Sequence, residues 1–122
     1  MIENPTVLLV DDEESLVIAL RDELQKEGYN VLTASNGEEG LAIVRSHQPS
    51  VIVLDIRMPL LDGKQVLQIV KKEFPNIKVI MLTSHGDLIS AMECKALGAD
   101  DFIEKPYEMG DLFASIRYVM KT

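Results

Sequence analysis

Residues 7–12 read Val-Leu-Leu-Val-Asp-Asp, and residues 51–55 read Val-Ile-Val-Leu-Asp. In each stretch a continuous apolar run ends in aspartate. A run of this kind, without polar alternation, is typical of a strand that is buried on both faces in a parallel sheet covered by helices. The carboxyl ends of parallel strands lie at one edge of the sheet. These two stretches therefore predict an α/β fold with acidic side chains gathered at that edge.

Outward from these stretches, short apolar runs alternate with longer amphipathic segments along the whole chain. The other short runs lie at residues 29–33, 77–82 and 101–103. The longer segments carry apolar residues at intervals of three and four, which is typical of helices with one buried face. In the fourth of them, residues 87–97, this stripe is thin, and its expected core residues are Ile89, Met92 and Ala96. The repetition predicts right-handed crossovers and a doubly wound α/β fold.

Several residues signal where the helices begin and end. Asn36 with Glu39 has the spacing of a capping box at the start of the second helix. Gly28 and Gly98 lie where helix C-caps are expected, because each precedes a predicted strand. Pro75 is expected to stop the third helix.

The bulk composition is that of one acidic domain. The chain has 122 residues, a formal net charge of −8 and a single cysteine, Cys94. The negative charge weighs against direct nucleic-acid binding by this domain, and it fits either cation binding or solubility alone. A lone cysteine excludes an internal disulfide and fits a reducing compartment. Because the chain has no membrane-spanning apolar run and no signal-peptide pattern, we expect a cytoplasmic protein without a membrane segment.

Four of the five predicted strands end in a side chain that can do chemistry, at the edge where doubly wound folds bind their ligands. Each residue also has a purely structural interpretation. Asp12 and Thr83 could cap helices, Asp55 could open a turn, and Lys105 could be a solvated lysine. One shared site explains all of them at once. The candidate site residues are Asp11, Asp12, Asp55, Thr83 and Lys105.

Three crowded carboxylates repel one another, so the predicted site needs protons or a cation. Mg²⁺ prefers oxygen ligands and takes one or two carboxylates together with phosphate oxygens, which suits Asp11, Asp12 and Asp55. A zinc site is not indicated, because the two histidines and the cysteine are isolated in the sequence. With the charge neutralised, Asp55 can attack phosphorus and form an aspartyl phosphate. Lys105 and Thr83 would then hold phosphoryl oxygens.

These residues resemble the receiver domain of bacterial two-component response regulators, and the resemblance covers essentially the whole chain. The motifs that carry it are Leu9-Val10-Asp11-Asp12-Glu13, Asp55 with Met58-Pro59 and Asp62-Gly63, Thr83-Ser84, and Phe102 with Lys105-Pro106. The resemblance implies a flavodoxin-like (βα)₅ fold with strand order 2-1-3-4-5. It also implies a switch in two-component signal transduction, with residues 1–122 forming a single receiver domain.

By the same resemblance, Asp55 accepts a phosphoryl group from the phosphohistidine of a sensor histidine kinase or phosphotransfer protein. The family's Mg²⁺ ligands correspond to Asp12, Asp55 and the main-chain carbonyl of Arg57, with Asp11 acting largely through water. Such a domain catalyses its own phosphorylation and dephosphorylation but turns over no general substrate. The Lys105–Pro106 peptide bond is expected to be cis.

The implied switch involves Thr83 and Phe102. In the family, phosphate draws the hydroxyl inward, the aromatic side chain turns in behind it, and the surface of the fourth helix, fifth strand and fifth helix changes shape. The implied partners of that surface are a downstream effector or an output domain, and a monomer and a phosphorylation-dependent dimer both stay open. Arg57 and His85 occupy positions that tune the phosphoryl lifetime in the family. Phe102 stands where tyrosine is common, and Leu60-Leu61 departs from the usual turn residues.

Other interpretations also stay open. A degenerate receiver could act as an unphosphorylated docking module. An aspartate-nucleophile phosphatase also combines Mg²⁺, Asp and Lys, but it resembles a layout with an Asp-x-Asp pair on the first strand and a cap over the substrate. A flavodoxin-like cofactor binder needs a phosphate-binding loop after the first strand, where Asp11 and Asp12 would repel phosphate. The chain could be a natural single-domain protein or a domain excised from a longer regulator or hybrid kinase.

Overall fold

Five parallel strands form one sheet in the computed structural model, which describes residues 4–58, 61–84 and 86–121. The strands are β1 (Thr6–Val10), β2 (Asn30–Ala34), β3 (Val51–Asp55), β4 (Lys78–Thr83) and β5 (Asp101–Glu104). The helices that follow them are α1 (Glu14–Lys26), α2 (Gly37–His47), α3 (Gly63–Glu73), α4 (Leu88–Ala96) and α5 (Met109–Met120). The order across the sheet is β2-β1-β3-β4-β5, so the predicted doubly wound fold and its strand order are confirmed. Within the described residues, no helix combines the length and hydrophobicity needed to cross a membrane.

The register of the sheet brings the carboxyl ends of the strands to one edge. Val10 of β1 pairs with Leu54 of β3. The next residues along these neighbouring strands, Asp11 and Asp55, therefore lie side by side. The parallel strands β4 and β5 end at the same edge, so β1, β3, β4 and β5 all deliver polar side chains there.

The apolar runs bury both of their faces. Leu8 and Val10 of β1 face a core beneath α2, α3 and α4, whereas Val7 and Leu9 face a second core beneath α1 and α5. All residues of β3 are buried. Because the side chains of a strand alternate between the two faces of the sheet, a strand covered on both sides has to be apolar throughout. This requirement is the reason that the two apolar runs predicted the fold correctly.

The helix-end signals are confirmed except in one detail. Gly28 and Gly98 follow α1 and α4 with φ angles of 95° and 106°, a conformation that glycine adopts without steric cost. The Asn36 side chain accepts a hydrogen bond from the Glu39 N–H at 2.8 Å. The Glu39 carboxylate, however, accepts from the N–H of the residue before Asn36. The predicted capping box is therefore wrong in its second contact, because the glutamate reaches one residue further back.

The predicted core face of α4 is wrong. Ile89 and Met92 are 73% and 63% exposed, and Ala96 is exposed as well. The buried residues of α4 are Ala91 and Cys94. Residues three positions apart share one face of a helix, and the face of α4 that packs on the sheet is the one with small side chains. α4 therefore buries little side-chain volume.

Lys71 and Asp100 form a hydrogen-bonded network at the amino edge of the sheet. Oδ2 of Asp100 accepts hydrogen bonds from Nζ of Lys71 at 2.7 Å and from the main-chain N–H of Val79 at 2.8 Å. The same ammonium donates to the main-chain carbonyl of Ile77 at 2.8 Å. The two charged side chains are only 16% and 20% exposed. One ion pair thus joins α3, the start of β4 and the turn before β5.

We expect Asp100→Ala to lower the free energy of unfolding by about 2–4 kcal/mol, because it leaves the Lys71 ammonium and a main-chain N–H without their shared acceptor. The matched control is Glu73→Ala, which breaks the exposed Arg45–Glu73 ion pair. Its effect should be much smaller, since exposed ion pairs are well solvated. Urea unfolding followed by circular dichroism measures both. Equal losses would contradict a stabilising role for the network.

Candidate functional site

Three carboxylates meet at the carboxyl edge of the sheet. One oxygen from each of Asp11, Asp12 and Asp55 lies within 4.8 Å of the other two. Asp11 and Asp55 are buried, whereas Asp12 is exposed. Two of these acids follow β1 and the third ends β3, so the structure brings together the three acids that the sequence singled out.

The Asp11 carboxylate is buried beside two other acids. Its Oδ1 accepts a hydrogen bond from the Glu13 N–H at 3.0 Å, but its Oδ2 is buried and has no hydrogen-bond partner among the described residues. Burial raises the pKa of Asp11 from 3.8 to about 6, against the Glu13 hydrogen bond, and the charge of Asp55 adds to the rise. Lys105 acts in the opposite direction. The carboxylate thus lacks a compensating positive charge of sufficient strength.

The carboxylate of Asp55 has a hydrogen-bond donor on each oxygen. Its Oδ1 accepts from the Arg57 N–H at 3.1 Å, and its Oδ2 lies 3.3 Å from Nζ of Lys105. The main chain holds Lys105 in place, since its N–H donates to the Thr83 carbonyl at 2.8 Å. The peptide bond from Lys105 to Pro106 is cis, as expected. Lys105 therefore points at the acids, which a solvated surface lysine would not do.

Glycine at position 63 allows α3 to begin directly against the end of β3. The Gly63 N–H donates to the Ile56 carbonyl at 2.9 Å. A Cβ on Gly63 would lie 2.7 Å from the Ile56 Cα and would clash with the main-chain oxygen of Asp55. Asp62 and Gln65 form a capping box that fixes this helix start. The backbone that carries Asp55 is therefore packed firmly from the side of α3.

Thr83 and Phe102 lie between the acidic edge and α4. Thr83 is buried at the end of β4, and its hydroxyl donates to the Ile103 carbonyl at 3.4 Å. The hydroxyl is thus turned towards β5 by a long hydrogen bond. The half-buried ring of Phe102 packs on the core beneath α4, and Nζ of Lys95 on α4 lies 5.9 Å from the ring centre.

The Arg57 side chain projects away from the acids. It is exposed, and its guanidinium lies 3.6 Å from the carboxylate of Asp87. Asp87 caps α4 by accepting a hydrogen bond from the Ser90 N–H, and the hydrogen bonds from Ser90 hold the pKa of Asp87 below its usual value. His85 and Leu60, which the sequence also singled out, lie outside the described residues.

Sequence reasoning missed Tyr107. Its hydroxyl is buried and has no hydrogen-bond partner among the described residues. Burial, reinforced by the charges of Asp11, Asp55 and Glu13, raises the pKa of Tyr107 to about 12. The available signal was its position two residues after Lys105, which brings it close to the site.

Comparison with known proteins identifies the chain's relatives. The response regulator receiver domain family matches residues 7–117. The probable transcriptional regulator ycf27 of Porphyra purpurea is 44% identical over 115 residues, which cover 94% of this chain and 47% of that protein. The alkaline phosphatase synthesis transcriptional regulatory protein PhoP of Bacillus subtilis is 36% identical over 118 residues, which cover 97% of this chain and 49% of that protein. The chain spans about half the length of these curated relatives.

Solved structures agree with the sequence matches. A response regulator receiver domain protein from Clostridium thermocellum superposes with a TM-score of 0.92 at 34% identity, covering 96% of this chain and 94% of that chain. The chemotaxis protein CheY4 of Vibrio cholerae gives a TM-score of 0.89 at 30% identity, covering 95% of this chain and 98% of that chain. The similarity therefore extends over the complete sheet and its helices.

We expect Asp11→Asn to stabilise the metal-free protein at neutral pH. The folded-state pKa of Asp11, about 6, lies above its unfolded value of 3.8, so the folded protein holds this proton more tightly. Stability is therefore lost as the pH rises from about 4 to about 6, by up to about 3 kcal/mol. The variant, which carries no charge here, should escape that loss.

The measurement is urea unfolding in EDTA at several pH values, with Asp22→Asn on the exposed face of α1 as the control. The difference between Asp11→Asn and the wild type should be small near pH 4 and largest above pH 6. A difference that does not depend on pH, or a variant less stable at pH 7, would contradict the expected cost of burying the Asp11 charge.

Proposed function

The chain belongs to the response regulator receiver domain family, whose members act in two-component signalling, and from that premise we propose that Asp55 is its phosphoacceptor. Receiver domains of this family are generally phosphoacceptors rather than enzymes. One observation carries the proposal: the Asp55 carboxylate lies in a cluster with Asp11 and Asp12 and only 3.3 Å from Nζ of Lys105. Nucleophile, acidic cluster and counter-charge are thus adjacent.

The proposed reaction transfers a phosphoryl group from a phosphohistidine on a sensor histidine kinase or phosphotransfer protein. A carboxylate oxygen of Asp55 forms a bond to phosphorus, and the bond between phosphorus and the histidine nitrogen breaks. The imidazole, which is protonated on its other ring nitrogen before the transfer, keeps that electron pair and leaves as the neutral ring. Lys105 Nζ, which contacts Asp55 Oδ2, donates to a phosphoryl oxygen as charge builds there. Hydrolysis of the aspartyl phosphate returns the domain to its starting state.

The donor set fits Mg²⁺. The cluster consists of carboxylates alone, and one of its buried oxygens, Asp11 Oδ2, has no partner among the described residues. Asp11, Asp12, Asp55 and the main-chain carbonyl of Arg57 would hold the ion. When bound, Mg²⁺ supplies the positive charge that lets an anionic carboxylate and an anionic phosphoryl group approach each other.

The proposed switch begins at Thr83. Its hydroxyl makes only a 3.4 Å hydrogen bond to the Ile103 carbonyl, so a phosphoryl oxygen can compete for it. Moving a two-state equilibrium from mostly off to mostly on takes about 5.5 kcal/mol, and each charge-assisted hydrogen bond contributes about 1.5–3 kcal/mol. About two to four such bonds would supply that free energy. Phe102 would then turn inward and alter the surface of α4, β5 and α5.

The remaining parts of the proposal concern cellular context. Residues 1–122 act as a single receiver domain whose switched surface meets an effector or an output domain, and the two curated relatives named above are transcriptional regulators. We assign no direct nucleic-acid binding to this domain because of its net charge of −8. The lone Cys94 fits a cytoplasmic location. Arg57 and His85 are proposed to tune the phosphoryl lifetime.

Incubation with acetyl phosphate and Mg²⁺ should give one phosphoryl adduct that hydroxylamine removes, seen by intact-mass spectrometry. We expect the adduct to disappear in Asp55→Ala and when EDTA replaces Mg²⁺, because the nucleophile or the charge neutralisation is then missing. Asp22→Ala, an exposed aspartate on α1, should be labelled like the wild type. An adduct that survives Asp55→Ala would overturn the assignment.

Thr83→Ala should separate phosphorylation from switching. We expect this variant to acquire the adduct. On phosphorylation it should show a much smaller change in amide hydrogen exchange over residues 88–120, because the hydroxyl that would bind the phosphoryl group is gone. Thr6→Ala, at the opposite end of the sheet, is the control and should respond like the wild type. A full response in Thr83→Ala would exclude Thr83 as the first element of the switch.

A further inference from the structure

Two buried side-chain oxygens near the acidic site lack a hydrogen-bond partner among the described residues. They are Oδ2 of Asp11 and the hydroxyl of Tyr107. Folded proteins pair almost all of their buried polar atoms, and an unpaired one costs the free energy of its lost hydration. Two such atoms at one site therefore call for a common explanation.

The two atoms are complementary in chemistry. A carboxylate oxygen can only accept a hydrogen bond, and a phenol can donate one. They also lie in the same region: Tyr107 is two residues after Lys105 and lines the same groove, and Nζ of Lys105 contacts Asp55 in the cluster that contains Asp11. A phenol is protonated at neutral pH, so the hydroxyl is a donor.

Packing alone does not account for the hydroxyl. The ring of Tyr107 packs against the core beneath α1 and α5 and borders a groove lined by Leu16 and Leu20 of α1. A phenylalanine would fill the same space without burying an unpaired oxygen. The ring therefore serves the fold, whereas the oxygen lowers stability unless it acquires a partner.

We propose that Tyr107 is a positioning residue for Asp11: when a cation occupies the acidic site, its hydroxyl donates a hydrogen bond to Asp11 Oδ2. The Glu13 N–H already holds Oδ1 at 3.0 Å, so the carboxylate is then fixed from both sides. A carboxylate held in one orientation binds a cation more tightly than one free to rotate. This inference rests on the proposed function, since it concerns the same site.

The test is Tyr107→Phe, which removes the hydroxyl and keeps the ring, with Tyr118→Phe as the matched control on the exposed face of α5. Isothermal titration of the unphosphorylated proteins with Mg²⁺ alone measures the affinity. Tyr107→Phe should bind Mg²⁺ at least about tenfold more weakly, the effect of losing one hydrogen bond to a charged group, and Tyr118→Phe should match the wild type. Thermal unfolding in EDTA should show Tyr107→Phe at least as stable as the wild type, since an unpaired buried hydroxyl is gone.

A spectroscopic measurement observes the proposed contact directly. The chain has three tyrosines and no tryptophan, so its near-ultraviolet absorption reports mainly on tyrosine. Addition of Mg²⁺ should produce a tyrosine difference spectrum in the wild type and in Tyr118→Phe, and this signal should be absent in Tyr107→Phe. A signal that persists in Tyr107→Phe would overturn the inference.

Failure of the inference can be told apart from failure of the proposed function by labelling the same proteins with acetyl phosphate. If the wild type is labelled at Asp55 and Tyr107→Phe binds Mg²⁺ equally well, the positioning role alone is wrong. If Tyr107→Phe is less stable in EDTA but unchanged in Mg²⁺ affinity, the tyrosine is structural and the inference is again overturned. A wild type that neither binds Mg²⁺ nor becomes labelled would overturn both.

Discussion

Repulsion among Asp11, Asp12 and Asp55 is the constraint on which the rest of this structure depends. The register between β1 and β3 forces the first and third of these carboxylates together, and burial removes the water that would screen them. Among the described residues, the Lys105 ammonium contacts the cluster, with its Nζ 3.3 Å from Oδ2 of Asp55. Burial is the main cause of the raised pKa of Asp11, and the charge of Asp55 adds to it. A bound cation would relieve this repulsion, and in the proposed function it would also let an anionic phosphoryl group approach Asp55.

The fold tolerates this repulsion because apolar packing and a paired charge stabilise other parts of the molecule. Both faces of the sheet carry continuous apolar cores. At the amino edge, Asp100 is paired with Lys71 and with a main-chain N–H. The charges of these two side chains therefore neutralise each other. The two edges of one sheet thus differ among the described residues: the amino edge pairs its charges, whereas the carboxyl edge keeps the buried Asp11 Oδ2 without a hydrogen-bond partner.

The sequence predicted those parts of the structure that follow from periodicity along the chain. Strands buried on both faces need unbroken apolar runs, so the sheet and the placement of Asp11 and Asp55 at one edge could be read directly. The packed face of α4 could not be predicted in this way. Ala91 and Cys94 face the sheet and Ile89 does not, because the shape of the sheet beneath α4 determines which side chains fit. The hydroxyl of Tyr107 was missed for a similar reason: its environment is formed by residues distant in sequence.

The light packing of α4 is consistent with the proposed switch at the surface of α4, β5 and α5. α4 buries only small side chains, and ion pairs from Arg57 to Asp87 and from Lys64 to Glu93 hold it from the side of β3 and α3. One partner of each pair is more than half exposed, so solvent weakens both ion pairs. Arg57 also donates its N–H to Asp55, so one residue contacts both the proposed phosphoacceptor and the residue that caps α4. An element with few buried contacts and weak polar ties is the one that a small change at the site can shift.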